Sequence, residues 1–452
     1  MSRWQDNFPW TAAFLRFLWP DGPARRKRWI RFAVAVLLIV AAHVALTLFV
    51  ASRTQPVIDD FVARYGPMSV TAHRPPFVED RANKARAVRA AAEVMVLPPV
   101  KEGGTKRHED FAAGRDKDLT ASDRDAIRKV VEDNALALSL LDLAAARTGT
   151  NWDLHYERGL EMDIPPLLRI MQLAKMNAAA GRLALEDGRW DDALTAVRRG
   201  TAIGASLESE PVLIVQLIRL AVAKSNLVLV NRILSGADLR AEQVAALRSA
   251  IPGENARHAM QEAFVAETKA LAQLTRGESG VRPYSGWRTD GVMGSAIVRA
   301  IARPFLLNEE RVWLAFTMRR IGELDSPRHA RRDPGPGPKV HGWNVLVRII
   351  ARDDKTILER ADLAEAGAAL AEAAIAVERH RIEKGRAPAT LAELVPAYLS
   401  AVPIDTLTGR AFHYQTNGAA WRVRSEFDRT TMQVERIGLG VPQPLDWSRG
   451  TP

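Results

Sequence analysis

The longest apolar run of the chain lies near its N-terminus, where residues 32–51 read FAVAVLLIVAAHVALTLFVA without a formal charge. A helix needs about twenty such residues to cross a hydrocarbon core of about 30 Å. The run therefore predicts a transmembrane helix over residues 29–52 that contacts the lipid bilayer through residues 32–51. We interpret His43, the titratable residue of the run, as a neutral imidazole bonded to its own helix or a neighbour, with a functional intramembrane role as the alternative.

Basic residues flank this run unequally. Arg53 follows it, whereas five basic residues precede it: Arg25, Arg26, Lys27, Arg28 and Arg31. Positive residues are retained on the cytoplasmic side of a membrane. We therefore expect residues 1–28 to be a cytoplasmic tail and the bulk of the chain to lie in the periplasm, anchored in a bacterial inner membrane. A cleaved signal peptide is the alternative, but its apolar region is usually only about 7–15 residues long.

A second apolar stretch, Pro211 to Leu234, carries Arg219 and Lys224 near its centre. Each charge costs roughly 2.5–3.5 kcal/mol on insertion into a bilayer. This stretch therefore predicts the buried central helix of a soluble bundle and not a second span.

Helical periodicity dominates residues 122–275, which we expect to form a helical domain. Ser122 suits the N-cap of a helix that has residues 123–125 in its first turn and runs on over residues 126–146, and Pro165-Pro166 suits the start of another. In that later helix, steps of three and four place six residues on one face with a small middle: Leu167, Met171, Ala174, Ala178, Gly181 and Leu185. Residues 53–121 are broken by prolines and a polar stretch, which predicts a stalk or linker with a short helix near residues 79–96.

The phrase LALEDGRWDDALTAVRRG resembles the turn of a tetratricopeptide repeat, in which a glycine precedes an aromatic residue and then an Ala-Leu pair. A solenoid needs about three such repeats to bury its faces, and this chain shows one copy. The resemblance therefore predicts one helical hairpin and no repeat array.

Residues 276–350 form an irregular segment in which Gly277 to Gly294 and Pro327 to Pro338 break the helical pattern. Between these breaks lies a basic amphipathic helix, Ala296 to Leu324, with Arg299, Arg303, Arg311, Arg319 and Arg320. Arginines in such a helix usually form its solvated face; contact with a membrane or an acidic partner is the alternative.

Residues 351–430 combine a long helix over Asp354–Lys384 with a proline- and aromatic-rich pattern that opens a small sheet. Leucines cover the seam between helix and sheet, Asp405 suits a turn, and residues 420–424 alternate like a strand. The positions that carry the pattern are Gly385, Pro388, Leu391, Leu394, Pro396, Tyr398, Leu399, Pro403, Asp405, Gly409, Phe412 and Tyr414. The pattern resembles the globular part of type II secretion pseudopilins of the major, G-type class, which implies a small α+β module; we expect residues 431–452 to be a tail.

The chain also departs from that family. Asp405 is followed by Thr406 where family members often have proline, and the prepilin leader Gly-Phe-Thr-Leu-x-Glu is missing before the apolar run. About three hundred residues separate the membrane helix from the module, which are contiguous in pseudopilins. The layout resembles a loose group of bacterial single-pass membrane proteins with a long helical middle and this module at the end, rather than a pilus subunit.

The amino-acid composition excludes several kinds of chemical site. The absence of cysteine excludes disulfides, thiolate metal sites and a cysteine nucleophile. The net charge of +10 is scattered among nearly as many acids, so we expect no nucleic-acid partner. No known catalytic or nucleotide-binding motif is found. Two groups invite a search for chemistry, and we interpret them as a solvated helix face (Glu378, His380, Glu383) and a loop or helix start (Asp153, His155, Glu157).

The fold class expected is therefore mainly α: an N-terminal transmembrane helix, a helical bundle and a small α+β module. We expect a membrane-anchored, non-enzymatic interaction or scaffold protein of the bacterial cell envelope, with other envelope proteins as partners and no catalytic residue, cofactor or metal. The alternatives are a membrane-tethered envelope hydrolase and an accessory component of a type II secretion-like system. A deep cleft lined by converging carboxylates or histidines would favour the hydrolase.

Overall fold

The computed structural model describes residues 24–97, 107–113, 119–236, 238–251, 255–276, 296–332, 340–341, 344, 347–348, 354–428 and 445–450. Helices dominate this part of the chain, which confirms the mainly α fold class. The helices are α1 (Ala24–Tyr65), α2 (Lys84–Val94), α3 (Arg107–Ala112), α4 (Ala121–Asp133), α5 (Ala135–Ala146), α6 (Leu167–Glu186), α7 (Trp190–Ala205), α8 (Leu213–Gly236), α9 (Ala241–Ala250), α10 (Ala256–Arg276), α11 (Ala296–Leu324) and α12 (Asp354–Lys384). The predicted break over residues 277–294, most of the 1–28 tail and much of the predicted 327–338 loop lie outside the described residues.

A small antiparallel sheet completes the fold, with strand order β1 (His413–Asn417), β2 (Ala420–Arg424) and β3 (Asp446–Arg449). Trp421 pairs with Arg449 and Val423 with Trp447 across β2 and β3. The sequence placed residues 431–452 outside the C-terminal module as a tail, whereas Asp446–Arg449 supplies its third strand. Trp447 is fully buried, so this strand belongs to the core.

The stalk expected over residues 53–121 is instead largely part of the helical body. α1 continues to Tyr65, and α2 buries an alanine-rich face, including Val88 and Ala91, in a cluster shared with Leu141 of α5 and Ile170 of α6. Alanine contributes little to an apolar signal along the sequence. Its small side chain nevertheless lets neighbouring helices approach closely, which explains why this element packs inside.

Two neighbouring helices replace the single helix predicted over residues 126–146, and the first begins earlier than Ser122 implies. Thr120 is the N-cap of α4: its Oγ1 accepts from the Asp123 backbone N at 3.2 Å, and the Asp123 carboxylate accepts from the Thr120 backbone N at 2.9 Å. Asn134 separates α4 from α5. The Asn134 side chain bonds both the N–H and the carbonyl of Val96, at 2.8 and 2.9 Å, and so ties this junction to the segment after α2.

The hairpin expected around Gly188 is formed by α6 and α7, and Gly188 adopts a φ of 71° between them. The small middle of the α6 face permits close packing. A Cβ on Gly181 would lie 2.6 Å from Leu229 Cδ2 of α8 and 2.8 Å from Ala196 Cβ of α7. Three helices therefore meet at this glycine.

Helix α8 is the central helix of the body, in agreement with the prediction for residues 211–234. Its apolar window is 56% buried inside the protein. Leu220 packs with the α1, α10 and α11 group, whereas Leu229 and Val230 pack with α6, α7 and α12. Arg219, which disfavours a membrane span, donates through Nε to Gln216 at 2.8 Å.

The C-terminal module shares its core with the helical body. Trp421 and Trp447 of the sheet, Val377 of α12 and Val197 of α7 belong to one hydrophobic cluster. The 3₁₀ turn Leu391–Leu394 adds two leucines to the same cluster. The module is therefore built onto the body through α12 and is not a separate appendage.

Candidate functional site

Helix α1 changes its surroundings part way along its length. Every residue from Lys27 to Ala42 is exposed, and the apolar eighteen-residue window of this helix is 0% buried. From His43 onward, one stripe of the helix is covered by other elements. Steps of three and four connect its members, which are His43, Thr47, Val50, Thr54, Ile58, Phe61 and Tyr65.

His43 contacts the first turns of α11, which pack along this stripe. Its Nε2–H donates to the backbone oxygen of Ala300 at 3.0 Å. Pro304 lies inside α11 and lacks the N–H that would bond the carbonyl four residues earlier, which is that of Ala300. His43 therefore supplies the donor that Pro304 removes. This agrees with the interpretation of His43 as an imidazole bonded to a neighbouring helix.

A second polar contact joins the same helices further along. Thr54, which is fully buried, donates its hydroxyl to Val50 O at 2.9 Å and approaches Leu307 O at 3.2 Å. Beyond it, Phe61 enters a cluster with Leu314 of α11. Because the contact points advance in the same direction on both helices, α1 and α11 run parallel to each other.

The C-terminal end of α1 is capped by a buried lysine of α10. Lys269 Nζ donates to Tyr65 O at 2.8 Å and to His73 Nε2 at 2.8 Å, and His73 Nδ1 lies 3.6 Å from Glu262 Oε2. A cation at this position also complements the negative end of the helix dipole. Burial, and then the Lys269 charge, lower the pKa of His73, while burial lowers the pKa of Lys269. His73 is therefore held neutral as an acceptor.

The arginines of α11 do not all form the solvated face that the sequence favours. Arg319 and Arg320 both pair with Glu323, at 3.5 and 2.6 Å, and their side chains are only 22% and 14% exposed. Between α10 and α11, the buried Glu310 binds Arg276 at 2.7 Å. Glu323 and Glu310 both belong to α11. The first pairs with arginines of the same helix, and the second pairs with an arginine of α10.

A small cleft lies beside the Arg276–Glu310 pair. It lies between Leu271 and Thr275 of α10 and Glu309 and Trp313 of α11 and has essentially no interior space that a water molecule could enter. Ligand sites for small molecules usually enclose roughly 300–1,000 Å³. The cleft is therefore smaller than a typical substrate site.

Glu378 does not lie on a solvated helix face, which corrects the sequence interpretation. It is fully buried and accepts from Arg381 at 2.8 and 2.9 Å and from Trp421 Nε1 at 2.9 Å. Arg449 of β3 approaches it to 3.4 Å. Glu378 therefore joins α12 to two strands, and the carboxylate raises the pKa of Arg381 through their hydrogen bonds.

The two neighbours of Glu378 in the sequence also have structural partners. His380 is buried, and its Nδ1–H donates to Arg386 O at 3.1 Å. Glu383 accepts from Tyr398 Oη at 2.8 Å and from Arg379 Nε at 2.9 Å. These bonds, the tyrosine first, lower the pKa of Glu383. The three side chains point to different partners and do not converge.

Asp153, His155 and Glu157 lie at the surface, with side chains 83%, 62% and 51% exposed. His155 Nδ1 lies 3.0 Å from Glu157 Oε1, and Glu157 also pairs with Arg74. Asp153 has a φ of 56° and faces Arg86 at 3.9 Å. Asp153 and His155 thus lie in a surface loop and Glu157 in the first turn of the 3₁₀ helix Tyr156–Glu161, in agreement with the interpretation as a loop or helix start.

One buried acid escaped the sequence search. Glu210 accepts from the Trp152 backbone N at 3.0 Å and from the Tyr156 hydroxyl, and it is fully buried. Burial raises the pKa of Glu210, and burial beside that carboxylate raises the pKa of Tyr156. The group fastens the loop before α6 to the end of α7. Nothing in the sequence around Glu210 distinguishes it from a surface acid.

A motif search could not have found the bond between His43 and the Ala300 carbonyl that Pro304 leaves without a donor. The sequence does, however, indicate which face of α1 His43 occupies. His43 and Thr47 are the polar residues nearest the middle of the apolar run and are four positions apart, which places them on one face. In the part of the chain that the structure describes, no group of three or more His, Asp or Glu side chains is arranged to hold a metal ion. No family model, curated protein or solved structure matches the chain.

Proposed function

We propose that the protein is anchored in a bacterial inner membrane by α1, with residues 32–51 crossing the bilayer, the N-terminus in the cytoplasm and the helical body in the periplasm. The observation that carries the proposal is a contrast between two helices of sufficient length and apolarity. The window of α1 is 0% buried, whereas that of α8 is 56% buried. Apolar side chains exposed around a whole helix fit hydrocarbon better than water.

The body acts, in this proposal, as a non-enzymatic interaction or scaffold module for other envelope proteins. The side chains with candidate chemistry are engaged in structural contacts, as the Glu378 and Glu210 networks illustrate. On the outer face of α5, Leu136 and Leu143 are 63% and 45% exposed and lie seven positions apart. We take this face as the first contact surface to test, with the pseudopilin-like module as a docking or assembly element.

Single-cysteine labelling tests the orientation, because the chain contains no cysteine of its own. Phe77 is 86% exposed in the body, so Phe77→Cys in the full chain is expected to react with a membrane-impermeant maleimide in intact cells with a permeable outer membrane. Ser2→Cys is expected to react only after the inner membrane is opened. The reverse pattern would overturn the orientation, and a mature chain that begins after residue 52 would overturn the anchor.

Crosslinking tests the interaction role. Leu136→Cys is expected to give a discrete adduct with another envelope protein when a short thiol-reactive crosslinker is added to cells. Glu242→Cys on α9, whose native side chain is 74% exposed, is the matched surface control. Equal products from both positions would count against the α5 face. Release of soluble fragments from purified peptidoglycan by the full-length protein would replace the scaffold proposal with the hydrolase.

A further inference from the structure

The first three turns of α11 run beside the apolar half of α1 and not within the helical body. The His43–Ala300 contact at 3.0 Å and the Thr54–Leu307 contact at 3.2 Å fix both the direction and the level of this pairing. Leu307, which is buried, lies at the level of Thr54 of α1. The residues of α11 before it therefore extend alongside α1 toward its N-terminal, exposed half.

The depth of this extension follows from helix geometry. His43 precedes Ala51, the far end of the proposed span, by eight positions, which at 1.5 Å per residue is about 12 Å. Ala300 lies at the level of His43. On the proposed topology, residues 296–305 therefore run from just past the midplane of the bilayer outward through its periplasmic leaflet.

The surface of this segment suits hydrocarbon. Ile301 and Phe305, four positions apart on one face of α11, are 62% and 63% exposed. Leu48 and Phe49 of α1 are 65% and 58% exposed at a neighbouring level. Together they continue the apolar surface of the anchor onto a second helix, whereas large exposed apolar side chains are disfavoured in water.

The polar contacts of the segment also suit a site without water. Pro304 leaves the Ala300 carbonyl without its helical partner, and in hydrocarbon no water can replace that partner. His43 provides the missing donor from within the apolar run of α1. The hydrogen-bond donor that Pro304 removes is thus supplied by a histidine about 260 positions earlier in the chain. An unsatisfied carbonyl is most costly inside a membrane, where no water can bond it.

We propose that residues 296–305 of α11 are a second membrane-embedded element, which enters the periplasmic leaflet beside α1 and leaves it on the same side. Ile301 and Phe305 contact acyl chains, and Arg303, which lies nearer the periplasmic edge than Arg299, extends its long side chain toward the phosphates of anionic lipids. This inference rests on the proposed anchoring by α1. It makes the lipid bilayer the partner of the basic helix.

Depth-dependent quenching in the full-length protein tests the inference. Single cysteines Ile301→Cys, Leu38→Cys and Phe77→Cys carry an environment-sensitive fluorophore, and the protein is placed in vesicles of phosphatidylethanolamine and phosphatidylglycerol with brominated acyl chains. Leu38 reports the anchor and Phe77 the aqueous body. The label at residue 301 is expected to lose at least half as much emission as the label at residue 38.

The outcomes distinguish a failure of the embedded α11 segment from a failure of the anchoring by α1. Quenching at residue 38 with none at residue 301 above the Phe77 level overturns the embedded segment and leaves the anchor intact. Absence of quenching at residue 38 overturns the anchor itself. A crosslink from Phe305→Cys to a second protein chain, without quenching at residue 301, shows a protein partner on this face and also overturns the inference.

The role of Arg303 is tested in the same assay. Replacing phosphatidylglycerol by phosphatidylcholine is expected to reduce the quenching of the residue-301 label in the otherwise native chain. Arg303→Gln is expected to abolish that lipid dependence. Arg81→Gln, at a side chain 86% exposed in the body, is the matched control and is expected to retain it. Equal lipid dependence in all three proteins overturns the role of Arg303.

Discussion

Single polar residues hold α1 in place at three levels. His43 bonds α11 in the apolar half, Thr54 bonds it where the helices enter the body, and Lys269 caps the end of α1 at Tyr65. Two of these contacts satisfy backbone carbonyls that lack a helical partner, that of Ala300 because of Pro304 and that of Tyr65 because α1 ends there. Such bonds typically contribute about 0.5–1.5 kcal/mol each, and an unsatisfied buried group costs more.

The His43 bond predicts a specific coupling between two residues. His43→Ala is expected to lower the free energy of unfolding in detergent micelles by about 1–2 kcal/mol, because it leaves the Ala300 carbonyl unpaired. In a Pro304→Ala background the loss is expected to fall to a few tenths of that, since an alanine at this position restores the helical N–H. Thermal unfolding of the four proteins measures the cycle. Equal losses in both backgrounds would show that His43 acts through something else.

The neutral state of His73 predicts a pH dependence. Since the pKa of His73 is lowered from 6.5, the unfolded chain binds a proton at a higher pH than the folded chain. Stability from this group is therefore present above pH 6.5 and is lost as the pH falls toward the folded pKa. His73→Gln keeps an acceptor for Lys269 and does not titrate, so it is expected to lose less stability than the native protein between pH 7.5 and 5.5 in urea unfolding.

Glu267 provides the reason for comparing two proteins in that experiment. Burial raises its pKa to about 7, which favours the folded state as the pH falls and so opposes the effect of His73. This contribution is present in both proteins and cancels in their difference. A native protein and a His73→Gln variant with parallel pH profiles would contradict the assignment of a neutral, lysine-bonded His73.

At the scale of elements, the contact between α12 and the sheet depends on one buried carboxylate. Glu378→Ala is expected to lower the free energy of unfolding by about 3–5 kcal/mol, because it leaves Arg381 and Arg449 without their buried partner. Glu372→Ala on the same helix removes a pair with Arg248 whose side chains are 41% and 48% exposed, so its cost is expected to stay below about 1 kcal/mol. Chemical denaturation compares them. Similar losses would show that the Glu378 network is dispensable.

The junction of α6, α7 and α8, by contrast, requires a residue without a side chain at position 181. Gly181→Ala places a Cβ 2.6 Å from Leu229 and is expected to destabilise by about 1–3 kcal/mol, despite the better helix propensity of alanine. Gly322→Ala in α11 meets nothing within 4 Å and is expected to stabilise by about 0.5–1 kcal/mol. Melting temperatures of the two variants should move in opposite directions. A stabilised Gly181→Ala would mean that the three helices lie further apart.

At the scale of the whole molecule, periodicity explains which parts of the fold could be predicted. The bounds of α11, α12 and β2 agree with the sequence patterns, because each has a clear period and a proline, glycine or polar boundary. β3 could not be predicted, since Asp446–Arg449 is short and its pairing with β2 is long-range. The contact between α1 and α11 could not be predicted either, because it depends on which distant helices pack together. No local pattern around Pro304 indicates that His43 bonds the Ala300 carbonyl.

Strand β3 also yields a prediction for the whole chain. A protein that ends at residue 444 lacks Trp447 and Arg449, so it uncovers Trp421 and leaves Glu378 with one arginine fewer. It is expected to be cleaved by trypsin throughout the body under conditions in which the full chain resists. Removal of residues 451–452 alone is the control. Resistance of the shorter chain would show that the sheet contributes little to the stability of the body.

The cluster around Phe61 has a consequence for the order of synthesis. Its partners include Met260, Leu314 and Leu358, so the last of them is translated about 300 residues after Phe61. At about 5–20 residues per second this is a delay of roughly 15–60 s. During this interval the far end of α1 is made but its set of binding partners is incomplete. A chain arrested before α12 thus contains α1 but leaves exposed the apolar surface around Phe61 against which α12 packs in the complete protein.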